Sequence, residues 1–203
     1  MKIILKIKIL IKILIIISCS SHPSLAERIS LNKISDYINA LTTLQADFEQ
    51  INSDGSIDRG KLYIRRPGRM RLEYTAPNNA LVIAGAGSVA IFDDKSKNGP
   101  TLFPLKKTPL NLLLKKNVDL YKNEMITEHT ANNENTFIVA KDPKRKSQGS
   151  IKMVFSNSPV SLQGWTITNQ SNQKTKIILD KLDKKTKIPL YLFNISAASK
   201  NKN

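Results

Sequence analysis

From Lys61 onward the chain alternates. In Lys61-Leu62-Tyr63-Ile64-Arg65 the water-loving and water-avoiding side chains change places step by step, and Arg66-Pro67-Gly68 ends the run with a fixed φ and then a flexible corner. Met70-Arg71-Leu72-Glu73-Tyr74-Thr75 repeats the pattern, with Met70, Leu72 and Tyr74 on one face, before Pro77-Asn78-Asn79 turns the chain back. Residues 81–84 and 89–92 follow, separated by Gly85-Ala86-Gly87-Ser88. These runs predict an antiparallel meander, apolar on one side and polar on the other.

Upstream the period is helical. Ile34, Ile38 and Leu41 fall near one face of a helix whose N-cap is Ser30, and from Leu44 the alternation Leu44, Ala46, Phe48, Gln50 predicts the first strand. A short strand is expected at 101–103. Then Thr108 as N-cap and Pro109 in the first turn predict a helix carrying Leu110, Leu112, Leu113 and Leu114. Leucines so placed need contacts on more than one side, either as a lid between the sheet and a ligand or as a deeply buried helix. Strands are expected at 121–128, 136–140, 150–155, 163–169, 175–182 and 191–195, and residues 197–203 read as a frayed tail. About ten antiparallel strands are too many for a flat open sheet. The expected fold is mainly β (α+β): a curled antiparallel sheet forming an incomplete β-barrel, closed by short lid helices.

The same residues carry a likeness. Gly60-Lys61-Leu62, Arg66-Pro67-Gly68, Arg71, Tyr74, Pro77, Val82-Ile83 and the run 89–93, with Phe48 and Gln50 before them and Thr108 to Leu113 after, resemble the LolA family of periplasmic lipoprotein carriers. The chain departs from the family in having Met70 and Leu72 where aromatics are frequent, and Gly85-Ala86 where an Asp-Gly turn is frequent. The resemblance implies a non-catalytic shuttle taking acylated lipoproteins from an inner-membrane ABC release complex to an outer-membrane acceptor. It implies a lipid-binding cavity, which the strand pattern assigns to Leu62, Ile64, Met70, Leu72 and Tyr74 and the lid helix to Leu110 and Leu113. Arg66 matches the family arginine that bonds the lid and acts as its latch. Its position at the end of a strand also allows a solvated rim charge, and neighbouring Arg65 is expected to have no such role.

The N-terminus supplies an address. Lys2, Lys6, Lys8 and Lys12 are scattered through Ile and Leu, the apolar run 13–17 is too short to span a bilayer, and Ser24-Leu25-Ala26 offers a cleavage site. The expected division is a signal peptide over 1–26, a carrier domain over 27–196 and a flexible tail over 197–203, with a periplasmic location. Ile16-Ile17-Ser18-Cys19 is also a tolerable lipobox, so lipidation at Cys19, giving an anchored acceptor of the same fold, is the alternative; a lipid-sensing module is another. Cleavage after Ala26 would leave 177 of the 203 residues and no cysteine, hence no disulfide.

The net charge of +16 falls to +12 when the four leader lysines go. Lys, Asn and Ile are abundant throughout, so this reflects composition as much as a binding patch, and an exported protein does not ordinarily meet nucleic acid. Catalysis finds no support in the residue pattern. Gly85-x-Gly87-x-x-Ala90 follows a strand but leads into β-branched residues and not into a phosphate-binding helix. His129 has no second histidine or cysteine beside it, Asp93-Asp94 lacks further oxygen ligands, and nucleophile-elbow, zinc-protease and P-loop patterns are missing. No cofactor and no metal are expected, and the carrier is expected to be a monomer.

Overall fold

The computed structural model describes residues 27–93, 99–122, 124–143 and 149–202. The leader and Cys19 lie outside them. Helix α1, Leu31–Ala40, begins where Ser30 accepts a hydrogen bond from the Lys33 amide at 3.3 Å, and it buries Ile34 and Ile38. Six strands follow in order: β1 (Thr43–Ile51), β2 (Ile57–Arg65), β3 (Arg69–Tyr74), β4 (Leu81–Gly85), β5 (Ser88–Phe92) and β6 (Thr101–Pro104). A 3-10 turn, Leu105–Lys107, leads into a single-turn helix α2, Asn111–Leu114. Five more strands complete the sheet: β7 (Ile126–Ala131), β8 (Asn135–Ala140), β9 (Ser150–Asn157), β10 (Val160–Thr168) and β11 (Lys174–Asp183).

All eleven strands form one antiparallel sheet in the order β6-β5-β4-β3-β2-β1-β11-β10-β9-β8-β7. The seam is β1 against β11, with Phe48 opposite Leu179 and Gln50 opposite Ile177. The chain therefore winds outward from β1 to one edge and returns from the other edge to β1. β6 and β7 are the two free edges, so the sheet is not closed.

The inner face carries the main core. There Ile34, Ile38, Leu44, Leu62, Ile64, Leu113, Leu114 and Phe155 pack with no residual exposure. Tyr37 of α1 meets Phe155 edge to face with ring centres 5.9 Å apart, and its hydroxyl accepts the Leu162 amide at 3.0 Å. The connection after α2 runs under α1, where Leu120 N donates to the Ser35 hydroxyl and Asn39 exchanges two bonds with the Val118 backbone.

Several expectations need correction. β7 begins at Ile126, because at Tyr121, expected to open a strand, the Tyr121 and Lys122 amides instead donate to Asp119 Oδ1 in a turn. Thr108 does not cap a helix. Its hydroxyl donates back to Leu105 O at 2.9 Å, closing the 3-10 turn, and α2 starts at Asn111 without a side-chain cap. Residues 191–195, expected as a strand, form a 3-10 turn, Leu190–Phe193, and the start of helix α3, Ile195–Lys202.

That segment also corrects the two-faced meander. β2 and β3 do alternate, but β4 and β5 are buried on both faces. Their outer residues Leu81, Ile83, Ala90 and Phe92 form a second core with Ile188 and Phe193. Arg65 and Arg71 donate to the Ile188 and Leu192 carbonyls at 2.6 and 2.9 Å, strapping the C-terminal segment over the sheet. A Cβ on Gly85 would stand 2.3 Å from Phe193 O, so the strap lies directly on the β4 backbone.

Candidate functional site

Beyond the reach of α1 the inner face is not filled. A cavity of about 540 Å³ is bordered by Met70, Leu72, Val82, Val89 and Ile91 of the β3–β5 side, by Phe103, Pro109 and Leu110, and by Trp165, Ile167 and Ile177 from β10 and β11. Its rim includes Gln50, Lys107, Thr108, Asn169, Gln170, Ser171 and Thr175. β6 and β10 are seven places apart in the sheet order. Flat, they would be separated by roughly 30 Å at normal strand spacing. That Phe103 and Trp165 line one cavity means that the sheet curls into an incomplete barrel.

Of the residues assigned to a cavity from sequence, Met70, Leu72 and Leu110 line it. Leu62, Ile64 and Leu113 share the inner face but lie in the packed core, fully buried. Tyr74 is not in the lining. Its ring meets Phe48 edge to face at 5.1 Å, and its hydroxyl donates to Gln50 Oε1 at 2.6 Å, so it braces a rim residue. Burial, with the charge of Asp58 adding to it, pushes the Tyr74 hydroxyl well above the usual tyrosine range. Sequence reasoning did not find Trp165, Ile167, Ile177 or Lys107. Strands are expected from sequence at 163–169 and 175–182 with no face assigned, and only the long-range pairing of β1 with β11 brings them opposite β3.

Arg66 stands at the corner after β2. Its Nη1 donates to the carbonyls of Ile38 and Leu41 at the C-terminus of α1, and its Nη2 donates to Lys115 O at 2.7 Å just past α2. Ile38 O also accepts from the Leu41 amide, and helix-end carbonyls have acceptor capacity left over, so one guanidinium helps to satisfy the ends of both helices. Burial lowers the Arg66 pKa, and its Nε is buried without a partner. Gly68 N donates to Leu114 O at 2.8 Å at the same corner. Arg65, one residue earlier, serves the opposite face, where it holds the strap through Ile188 O.

Among the described residues, no group of three or more His, Cys, Asp or Glu side chains converges to hold a metal, and no helix is long and apolar enough to cross a membrane.

Comparison with known proteins gives a consistent result. The family model described as outer membrane lipoprotein carrier protein LolA matches residues 39–196. An outer-membrane lipoprotein carrier protein of Methylococcus capsulatus is 31% identical over 80 residues, a stretch spanning only 37% of this chain and 38% of that one. A second carrier of that description, from Chromohalobacter salexigens, is 24% identical over 165 residues, covering 74% of this chain and 75% of the relative. Among solved structures, a Vibrio parahaemolyticus domain assigned to outer membrane lipoprotein sorting superposes with a TM-score of 0.51 at 11% identity, over 83% of this chain and 97% of that one, a likeness of fold.

Proposed function

The chain belongs to the LolA family of outer membrane lipoprotein carrier proteins, and from that premise we propose that it is a periplasmic carrier, not a catalyst, which holds lipoprotein acyl chains in its cavity. It receives its cargo from an inner-membrane ABC release complex and passes it to an outer-membrane acceptor. The observation that carries this reading is the solvent-open apolar cavity of about 540 Å³. Each methylene taken out of water is worth about 0.8 kcal/mol, so a bare acyl anchor does not cross an aqueous compartment unaided. Met70, Leu72 and Leu110 contact the chains; Leu62, Ile64 and Leu113 form the core behind them, and Tyr74 holds the rim.

The cavity lies within the ~300–1,000 Å³ of a pocket for one drug-sized ligand, far less than a triacylated anchor occupies. Loading therefore requires the sheet and the lid to part. Arg66 is the latch on that motion, because its bonds to α1 and to the residues after α2 exist together only when both helices are seated. Release stays possible because the closed, empty state recovers those bonds.

The direct test is whether purified protein removes a labelled lipoprotein from inner-membrane vesicles in an ATP-dependent way. Met70→Glu is expected to block loading or onward transfer while the far-UV CD spectrum stays strand-rich; normal loading and transfer by the folded variant would refute the cavity. Arg66→Leu is expected to accept lipoprotein and fail to pass it on, with Arg69→Leu as the control, at a half-buried residue whose side chain donates to Pro67 O of the same turn. Equal transfer by both variants would reduce Arg66 to a structural corner. N-terminal mass spectrometry completes the assignment: a mature chain starting at Glu27 supports the soluble carrier, and a diacylated Cys19 would move the reading to an anchored acceptor.

A further inference from the structure

The cavity has a floor and a rim of different chemistry. The floor is apolar, made by Met70, Leu72, Val82, Trp165 and Ile177. On the rim, three polar residues are already committed: Gln50 to Tyr74 and Asn52, Asn169 to Gln173, and Thr108 to Leu105 O. Lys107, Gln170, Ser171 and Thr175 are not; among the described residues none of these four side chains has a hydrogen-bond or ion-pair partner. Among the described residues of the lining Lys107 is the single charged one, and none is a carboxylate.

An acyl anchor built from esters, an amide and a thioether carries no formal charge and would have no use for an ammonium at the rim. A ligand suited to both parts has an apolar tail and an anionic head. We propose that the same cavity binds an anionic glycerophospholipid, with an acyl chain in the slot and the phosphodiester at the rim against Lys107 and the hydroxyls of Ser171 and Thr175. The described residues of the rim include a cation and no carboxylate to meet a choline or ethanolamine, so the preference is for a net-negative headgroup. Chain burial supplies most of the affinity, and Lys107 sets which head is kept. The proposal rests on reading the cavity as an acyl-chain site. It adds a placeholder that keeps water out of the empty carrier and leaves when cargo arrives.

The test uses the mature protein and mixed vesicles of phosphatidylglycerol and phosphatidylcholine with identical chains. After incubation the protein is re-isolated and its lipid is measured by mass spectrometry. Phosphatidylglycerol is expected to be enriched about fivefold over the vesicle composition, the upper end for one exposed ion pair. Lys107→Ala should bring the ratio close to one with total lipid little changed, Lys107→Arg should preserve it, and Lys106→Ala, beside the cavity lining but not in it, should match wild type. Leu72→Glu should lose both lipids. Inorganic phosphate should not displace the bound lipid; if it does, the rim is a plain anion site and the proposal fails. Equal recovery of both lipids by wild type, or an unchanged preference in Lys107→Ala, also overturns it. Lipoprotein loading measured on the same samples separates the two readings. Protein that loads lipoprotein but takes no phospholipid defeats this inference alone; protein that takes neither defeats the carrier reading as well.

Discussion

Under α1, the inner-face residues Leu44, Ile64, Leu113 and Phe155 have no exposure at all, whereas Val82, Ile91 and Ile167 on the same face are only half-buried around an empty volume. The two regions have similar side chains: branched aliphatics and a large aromatic in each. What differs is the covering layer. α1 supplies ten residues and a tyrosine that reaches β10, while the cavity is spanned only by the segment from Phe103 to Leu110. The cavity is thus made by withholding a layer and not by shrinking residues, which leaves apolar surface available for a ligand to cover.

The sharpest test of this contrast is a pair of truncations. Leu113→Ala should cost about 2–5 kcal/mol in urea unfolding, as for leucines in fully packed cores, and Leu72→Ala clearly less, because one side of Leu72 already faces empty space. Equal costs would mean that the cavity region is as tightly packed as the rest. The strap extends the comparison to the outer face, where β4 and β5 are covered. Arg71→Leu leaves the Leu192 carbonyl without its donor, and about 1–3 kcal/mol is expected, with faster proteolysis beyond Ile188. Gly85→Ala should release the same segment by steric contact with Phe193 O.

A smaller effect separates the rim from the core by pH. Tyr74 has a hydroxyl pKa raised in the folded protein, so the stability it contributes is full below the unfolded tyrosine value of about 10 and is lost as pH rises above it. Tyr74→Phe should remove that alkaline loss; an unchanged alkaline profile would count against the rim brace. The smallest effect lies at the far edge. Burial lowers the pKa of His129, whose Nε2 contacts Ile29 O at 2.9 Å, so its contribution is present above about 6.5 and falls away as pH drops through its lower folded value. His129→Gln should flatten the acid limb slightly without altering the cavity.

Much of this was legible in the sequence where the determining contacts are local. The alternation in β2 and β3, the Ser30 cap and the position of Arg66 at a strand end all depend on neighbours within a few residues. The strap was not found: the unbroken apolar runs 81–84 and 89–92 fall within the expected two-faced meander, although such runs are the pattern of strands buried on both faces. What covers them arrives about a hundred residues later, and nothing in Leu190-Tyr191-Leu192-Phe193 distinguishes a strand from a strap. Thr108-Pro109 failed as a helix start because the preceding 3-10 turn claimed the threonine hydroxyl. The segments that form β10 and β11 were expected as strands, but their cavity residues could not be matched to β3 without the register of the seam.

The missing hydrogen bonds between β6 and β7 have a mechanical meaning. In a closed barrel the number of strands and their stagger fix the radius, and widening it means slipping a ladder. A split ring has no such constraint. Its bore can grow through a small change of twist at every ladder, with no ladder bond broken, and what resists that change is the set of ties between the sheet and the segments packed on its inner face, the Arg66 bonds to the ends of α1 and α2 among them. The bore of such a cuff is set by whatever it clasps, so ligands of different bulk would need no separate shape for each.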